Sequence, residues 1–363
     1  MNQERNYGID LLRIVAIYMV LVLHVLGQGG IIWNLSNTSQ NYIVAWALEL
    51  MAFCAVNCYA LISGYVGIYS KFKLSNLLLL WMQVALVSIG SLIVFACAGV
   101  EIGITDLKNA CLPVSSGTYW YFTAYFCLYL LMPFLNKFIL ETDGKILGHL
   151  LVALLFLFSV MSTVFSRDMF LINNGYSAVW LIVLYVVGGV LRKYQNKIKI
   201  KTHIWICGYF GSVLLTLLSK IVIEFLNERF SFELYDDFIL IRYNSPTMII
   251  SSVCLVLLFA KMNLTRIVKA IKLVSPTTFG VYIIHSEPFI WTYIIGGRFA
   301  NFKELMPVQF VLSVVSVAAI IFILCSVAER CRLWIFKICR VPCLCKKVED
   351  KCKKLVKVGE YGE

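Results

Sequence analysis

Long apolar runs separated by short polar or basic segments dominate the chain. Ten runs come close to the roughly 20 residues that an α-helix needs to cross the hydrocarbon core of a bilayer. They cover residues 8–27, 42–66, 77–99, 118–136, 146–165, 177–191, 204–223, 246–261, 276–295 and 307–328. This pattern predicts an all-α, polytopic membrane protein with about ten transmembrane helices, of which the sixth and eighth are short.

The basic residues predict how these helices are oriented. Cytoplasmic segments of membrane proteins carry an excess of Lys and Arg. If the N-terminus is cytoplasmic, every inner segment is basic and the outer segments hold few cations. Both termini are therefore expected in the cytoplasm. Residues 1–330 would form one membrane domain, and residues 331–363 a basic cytoplasmic tail that begins as an amphipathic helix at the membrane surface.

Composition and residue spacing argue against nucleic acid and metal ions as ligands. The chain is 60% hydrophobic and 14% charged, with a net charge of +12. Because the cations lie between apolar runs, they fit orientation in a bilayer and not nucleic-acid binding. The 13 cysteines are irregularly spaced. Cys343 and Cys345 lack the two-residue spacing of zinc knuckles and have no His nearby, so no metal site is expected.

Three ionisable residues interrupt the first apolar run. Asp10, Arg13 and His24 would each be costly in a bilayer, at roughly 2.5–3.5 kcal/mol for Asp or Arg at mid-helix. Arg13 and His24 are 11 residues apart, so both side chains point the same way, about 16 Å apart along the axis. Asp10 lies within pairing reach of Arg13. These three residues form a stripe along one face of the helix, which indicates a functional site or a transport pathway. The alternative is a structural ion pair of Asp10 and Arg13 together with a buried histidine.

Four stretches resemble the acyltransferase type 3 family of integral membrane O-acyltransferases. The first, YGIDLLRIVAIYMVLVLH, contains the Arg and His stripe and is similar to the family's first helix. The others, in order, are ALISGYVGIYSKFKLSNLLLLW, TYWYFTAYFCLYLLMPFL and SPTTFGVYIIHSEPFIW. They are spread over nearly the whole chain, so the membrane domain at residues 1–330 is identified as an acyltransferase domain by resemblance.

The resemblance implies a ten-helix enzyme in a bacterial inner or plasma membrane. It would take an acyl group, usually acetyl, from cytoplasmic acyl-CoA and pass it to a hydroxyl of a cell-surface glycan or lipid-linked sugar. His24 would act as general base or carry the acyl group. Arg13, oriented by Asp10, would stabilise the thioester end of the acyl donor or the row of ionisable residues on the first helix. Lys71 and Lys73 would meet the CoA phosphates; their alternative role is anchoring at the membrane surface.

Aromatic and late polar residues complete the candidate site. Tyr119, Trp120 and Tyr121 are expected to line the acceptor pocket, although an aromatic belt at the interface also explains them. His285 is similar to the family's late histidine and could instead be a packing residue. These residues are grouped as substrate-binding candidates.

Three further ionisable residues lie in or near the apolar runs. Glu49 and Glu287 could each polarise His24, and Glu287 is also placed with the substrate-binding candidates. An interfacial role explains Glu287 equally well. Lys220, near the outer end of the seventh run, is expected to extend its ammonium group to the interface.

Two rival functions remain open at this point. A transporter for glycans or small solutes, with a histidine-based proton relay, would carry similar charged stripes. A non-catalytic membrane module of the same fold is the other. Broken helices in paired halves of the chain would favour the transporter, and the sequence shows no clear half-repeat.

Overall fold

The protein is all-helical. A computed structural model describes residues 5–230 and 236–359, with side chains through residue 353. Helices hold 77% of the chain, and the described ranges contain no strand. The predicted all-α class is confirmed.

Sixteen α-helices follow one another within the described ranges. Those of the first half are Tyr7–Leu26 (α1), Tyr42–Phe53 (α2), Ala55–Gly67 (α3), Leu74–Cys97 (α4), Ile104–Cys111 (α5), Trp120–Glu141 (α6), Gly144–Leu155 (α7) and Ser162–Val164 (α8). Those of the second half are Ala178–Lys193 (α9), Thr202–Phe230 (α10), Pro246–Ala260 (α11), Val268–Val274 (α12), Thr278–His285 (α13), Pro288–Ile290 (α14), Pro307–Ile338 (α15) and Val341–Gly359 (α16). Phe156–Met161 and Trp291–Ile295 are π-helical.

Seven helical segments in the described part of the chain are long and apolar enough to cross a membrane. They are α1, α2 with α3, α4, α6, Gly144–Val164, α10 and α15. Two of the other predicted spans form the shorter helices α9, of 16 residues, and α11, of 15 residues. The predicted span 276–295 is broken into several short helices. The count of ten spans is therefore not confirmed, and the cytoplasmic placement of both termini stays a prediction.

Helix α1 lies at the centre of the bundle and packs against α2, α3, α11, α13 and α15. Its first turn is closed by Asn6, whose side chain accepts a hydrogen bond from the backbone N–H of Ile9 and donates one to the carbonyl of Ala260. We call the end of the bundle where α1 begins the basic end, because Arg5, Lys71 and Lys73 lie there. His24 lies towards the opposite end.

Close contact between α3 and α9 depends on glycine. A Cβ atom at Gly64 would collide with the carbonyl group of Tyr185, and one at Gly188 would collide with the carbonyl group of Leu61. Small residues let helices in membranes approach until their backbones touch. The two glycines therefore fix the packing of α9 on α3, which carries one wall of the site described below.

We expect Gly64→Ala to destabilise the protein by about 1–3 kcal/mol, the usual cost of overpacking. The colliding atoms belong to backbone and cannot rotate away. Thermal unfolding in detergent, followed by size-exclusion chromatography, measures the effect. Gly90→Ala is the matched control, because Gly90 lies inside α4 with no atom within 4 Å of a new Cβ. Equal melting temperatures for the two variants would contradict the packing argument.

The ammonium group of Lys220, which was expected to reach the interface, is buried by protein side chains and does not reach water. Its side chain is 3% exposed, and its ammonium nitrogen lies 2.6 Å from Asp237 Oδ2. The same nitrogen lies 4.4 Å from the ring centroid of Trp46 and 4.7 Å from that of Phe238. An ion pair and two aromatic faces thus replace water around this charge, and they hold the segment after residue 236 against α2 and α10.

The C-terminal region continues the bundle. Helix α15 runs without a break past residue 330, where the sequence predicts the domain to end. Helix α16 then packs along α4. Residues 360–363 of the predicted tail lie outside the described residues, and the division into domain and tail stays a prediction.

Candidate active site

Two histidines meet between α1 and α13. His24, on the last turn of α1, places its Nδ1 atom 2.9 Å from Nε2 of His285. His285 is fully buried at the C-terminal end of α13, 261 positions further along the chain. The contact therefore exists only because the fold brings the first helix and a late helix together. It pairs a predicted catalytic residue with a predicted substrate-binding residue.

The hydrogen bonds of the pair assign its protons. His285 Nδ1 lies 2.5 Å from the backbone carbonyl oxygen of Val281, one turn earlier in α13. A carbonyl oxygen only accepts hydrogen bonds, so His285 Nδ1 must carry a proton. In the neutral ring, Nε2 of His285 is then an acceptor, and we assign His24 Nδ1 as the donor to it. The lone pair of His24 is left on Nε2, as a base requires.

The break in the ninth predicted span shapes the region around His24. Glu287 caps a new helix there: its carboxylate accepts from the backbone N–H groups of Phe289 and Ile290, at 2.9 and 3.1 Å. The chain then continues as π-helix, which brings Trp291 edge-on to His24 with ring centroids 4.4 Å apart. π-Helical turns frequently occur at functional sites.

Neither acidic candidate contacts His24. The Glu287 carboxylate also accepts from Ser91 Oγ at 2.6 Å and does not line the cavity of His24. Glu49, on α2, is buried, and its Oε2 has no hydrogen-bond partner among the described residues. The side chain within hydrogen-bond distance of His24 is His285, and no local sequence pattern favours it over either carboxylate.

His24 opens into an aromatic cavity of about 380 Å³. The predicted residues Tyr119, Trp120 and Tyr121 all line this cavity. Tyr119 is almost completely buried, with its hydroxyl 3.0 Å from Ser88 Oγ. Three of the substrate-binding candidates thus lie around the candidate base.

Additional residues of the cavity wall were not among the predicted site residues. Tyr59, Tyr243, Tyr282 and Trp291 line it together with the predicted aromatics. Trp120 stacks on Tyr243 with ring centroids 6.1 Å apart. Apolar walls with a few polar groups are typical of small-molecule sites.

Asp10 and Arg13 form a separate cluster at the basic end. Asp10 is 2% exposed and pairs with Arg13 Nη1 at 2.7 Å and with Arg5 Nε at 2.5 Å. The second arginine means that Asp10 keeps a partner when Arg13 is replaced. About 16 Å separate Arg13 from His24 along α1, so the three predicted catalytic residues share a helix and not a single site.

A second cavity, of about 210 Å³, lies beside Arg13. Lys71 lines it together with Tyr125 and Tyr129. Lys73 does not: it precedes α4, and its backbone carbonyl accepts a hydrogen bond from the Tyr129 hydroxyl at 3.1 Å. The structure therefore brings one of the two predicted CoA-binding lysines next to Arg13.

A column of tyrosines connects the two cavities. Tyr59 lines the His24 cavity and donates a hydrogen bond to the Arg13 carbonyl at 2.7 Å. Tyr121 lies 6.4 Å from Tyr59 between ring centroids and stacks on Tyr125, which lines the Arg13 cavity. The sequence signal was present: Tyr121, Tyr125 and Tyr129 are four residues apart and share one face of α6.

A family model described as an acyltransferase domain matches residues 6–328. The chain belongs to the acyltransferase type 3 family. The resemblance drawn from the four sequence stretches is therefore confirmed. No curated protein and no solved structure matches the chain.

Membership in the acyltransferase type 3 family, together with the seven apolar helices, identifies a membrane protein with an acyltransferase domain. All predicted site residues, from Asp10 to Glu287, lie inside the matched segment. The match gives the transporter hypothesis no support. The donor, the acceptor and the role of each site residue stay predictions.

Proposed function

We propose that the protein is an integral membrane O-acyltransferase of a bacterial inner or plasma membrane. It moves an acyl group, acetyl in the simplest case, from cytoplasmic acyl-CoA to a hydroxyl of a cell-surface glycan or lipid-linked sugar. The observation that supports this most directly is the contact between His24 Nδ1 and His285 Nε2, from which we infer a free lone pair on His24 Nε2. That lone pair belongs to a ring held in one tautomer and directed by His285 beside an aromatic cavity.

The chemistry follows from that lone pair. Nε2 of His24 takes the proton of the acceptor hydroxyl as its oxygen attacks the thioester carbonyl carbon. The new C–O bond forms, the C–S bond breaks, and the imidazolium returns its proton to the leaving thiolate. The products are an ester and free CoA thiol. Tyr121 and Tyr282 line the cavity, and a phenol O–H there can donate to the oxyanion that develops in the transition state.

A second form of the mechanism uses the same atom as a nucleophile. Nε2 attacks the thioester and carries the acyl group until the acceptor hydroxyl displaces it. In this form the C–S bond breaks first and CoA leaves as the thiolate. When the acceptor oxygen later displaces the acyl group from Nε2, its proton passes to solvent and neutral His24 is restored. The two forms differ in one observable, because only the second produces an acyl-protein intermediate in the absence of acceptor.

The tyrosine column suggests how the donor reaches His24. The CoA head group is large and anionic, so it would stay at the basic end, while its narrow pantetheine arm passes along Tyr125, Tyr121 and Tyr59. Arg13 lies at the start of this route. The acceptor would approach from the opposite end, where the aromatic side chains of Trp120 and Tyr243 line the cavity.

The proposal is tested by acyl-CoA turnover. We expect purified protein in nanodiscs to release free CoA thiol from acetyl-CoA, and sugar or glycan acceptors to increase that release. An acyl-protein intermediate in rapidly quenched samples without acceptor would favour the nucleophilic form, and its absence beside normal turnover would favour the general-base form. Empty nanodiscs are the control. Failure to bind or turn over acetyl-CoA and succinyl-CoA, with or without acceptor, would refute the proposed function.

A further inference from the structure

A third cavity, of about 590 Å³, opens at the basic end between α4, α6, α15 and the start of α16. Arg332, Lys337 and Arg340 line it, together with the polar side chains Asn76 and Gln83. The family match ends at residue 328. All three cations therefore come from the chain beyond the matched acyltransferase domain.

Two of the three charges are not neutralised. The Arg332 guanidinium binds both oxygens of Glu329, at 2.8 and 2.5 Å, and lies over the ring of Phe336. Within the part of the chain that the structure describes, Lys337 and Arg340 have no carboxylate within ion-pair distance. The cavity thus carries a net positive charge from two exposed side chains.

The cavity wall is held in place by a reversal of the chain. Arg340 has a φ of +53° and separates α15 from α16. Beyond it, Val341 and Cys345 pack against residues of α4, including Met82. These contacts bring the two cations next to α4 and α6 instead of leaving them on a free tail.

A capping contact fixes the other end of the reversal. The Glu349 carboxylate accepts a hydrogen bond from the Ser75 backbone N–H, in the first turn of α4, at 3.2 Å. Acidic groups are stabilising at the N-terminus of a helix. The Lys353 side chain also pairs with Glu349, so hydrogen bonding holds the pKa of this carboxyl near 2. Helix α16 is therefore tied to α4 at neutral pH.

The basic cavity adjoins the route to His24. Asn76, Tyr125 and Tyr129 line both this cavity and the Arg13 cavity. Tyr125 in turn stacks on Tyr121, which lines the cavity of His24. A ligand held by its anionic end at Lys337 and Arg340 would thus have its other end directed along the tyrosine column.

We propose that this cavity binds the phosphate groups of the CoA donor, with Lys337 and Arg340 as the residues that hold them. The proposal rests on the function proposed above and replaces Lys71 and Lys73 as the main phosphate contacts. Arg pairs with phosphate through two parallel N–H groups, and Lys acts as a point charge. Lys73 does not line either cavity, and Lys71 lines only the smaller one.

Two kinds of molecule carry phosphate groups that such a cavity would bind. CoA, with its diphosphate and ribose phosphate, is one, and anionic lipids are the other, since basic pockets at the cytoplasmic side also bind lipid phosphates. The contact with the tyrosine column favours CoA. The acyl group of a CoA donor must reach His24 to react, whereas binding of a lipid headgroup requires no contact with that column. The test therefore separates the two sources.

Binding of CoA itself provides the test, because CoA cannot react. We expect Lys337→Gln with Arg340→Gln to weaken CoA binding at least tenfold, measured by calorimetry in phosphatidylcholine nanodiscs. Lys346→Gln with Lys347→Gln is the matched control: it removes the same charge from exposed positions of α16 that do not line the cavity. The control should stay within twofold of the unmodified protein.

Steady-state turnover of acetyl-CoA and binding of phosphatidylglycerol are measured on the same variants. In the protein that carries both Lys337→Gln and Arg340→Gln, KM for acetyl-CoA should rise at least tenfold with little change in kcat. An unchanged CoA affinity beside normal turnover would refute this site and leave the proposed function standing. A loss of phosphatidylglycerol binding without a loss of CoA binding would also refute it, in favour of a lipid site. Unmodified protein that neither binds CoA nor releases thiol would refute both proposals.

Discussion

Replacement of His24 by alanine or asparagine is expected to abolish acyl transfer in a protein that still folds. General-base catalysis contributes about 10²–10⁴-fold to a rate, and loss of an acyl carrier would remove that pathway entirely. Asparagine is the sharper test. Its amide nitrogen occupies nearly the position of the imidazole Nδ1, so it can still donate to His285 Nε2. It has no basic atom at the position of Nε2.

The ratio kcat/KM for thiol release in nanodiscs measures this effect. His149→Ala is the control, because His149 is exposed on α7 and does not line the cavity of His24. Its activity should equal that of the unmodified protein. A folded His24→Asn variant that keeps more than about a tenth of the activity would exclude His24 as base and as acyl carrier.

Long apolar runs made most helices predictable, because a bilayer-length run requires no knowledge of its neighbours. The predicted run 8–27 became α1 at residues 7–26, and 246–261 became α11 at 246–260. The run 276–295 failed for a local reason. Glu287 followed by Pro288 is an N-cap with proline at the first helical position, a start signal that the surrounding apolar residues obscured.

The site was predictable only where one helix carried it. The spacing of Arg13 and His24 fixed their common face, and the structure separates them along α1 as expected. The partner of His24 could not be found in this way. His285 lies in a helix that meets α1 through tertiary packing, and no local pattern distinguishes it from Glu49 or Glu287. Pairing across a fold is settled by packing and not by sequence spacing.

Lys220 and the basic cavity illustrate the same limit. An isolated lysine in an apolar run is expected to reach for water. The structure instead surrounds it with Trp46, Phe238 and Asp237, which lie far from it or beyond the helix end. Lys337 and Arg340 were predicted as part of a surface tail. The chain reversal at Arg340 places them against α4. The spacing of the charged residues does not predict that reversal.

Replacement of His285 by alanine is expected to lower kcat by about 10²-fold, the effect of misplacing a reacting group by around 1 Å. Without the acceptor at His285 Nε2, the His24 ring loses the hydrogen bond that fixes its tautomer and direction. KM for acetyl-CoA should change little, because the donor head group would bind at the basic end. His285 is thus expected to act as a positioning residue.

His285→Gln separates positioning from a purely structural role. The glutamine carbonyl oxygen lies nearly where Nε2 was, so it can accept from His24 Nδ1–H and should bring kcat to within about tenfold of the unmodified protein, about the worth of one hydrogen bond. Asparagine is too short to reach, and His285→Asn should resemble alanine. Steady-state kinetics of the three variants, with melting temperatures as the check on folding, give the comparison.

The hydrogen bond to Val281 explains why glutamine should suffice. His285 Nδ1 donates to a backbone carbonyl oxygen, which cannot take up a proton at neutral pH. His285 therefore cannot pass a proton onwards through Nδ1, and we expect the proton taken by His24 Nε2 to return to the leaving thiolate. If glutamine were as inactive as alanine in a folded protein, this assignment would be wrong, because His285 would then have to exchange a proton during the reaction.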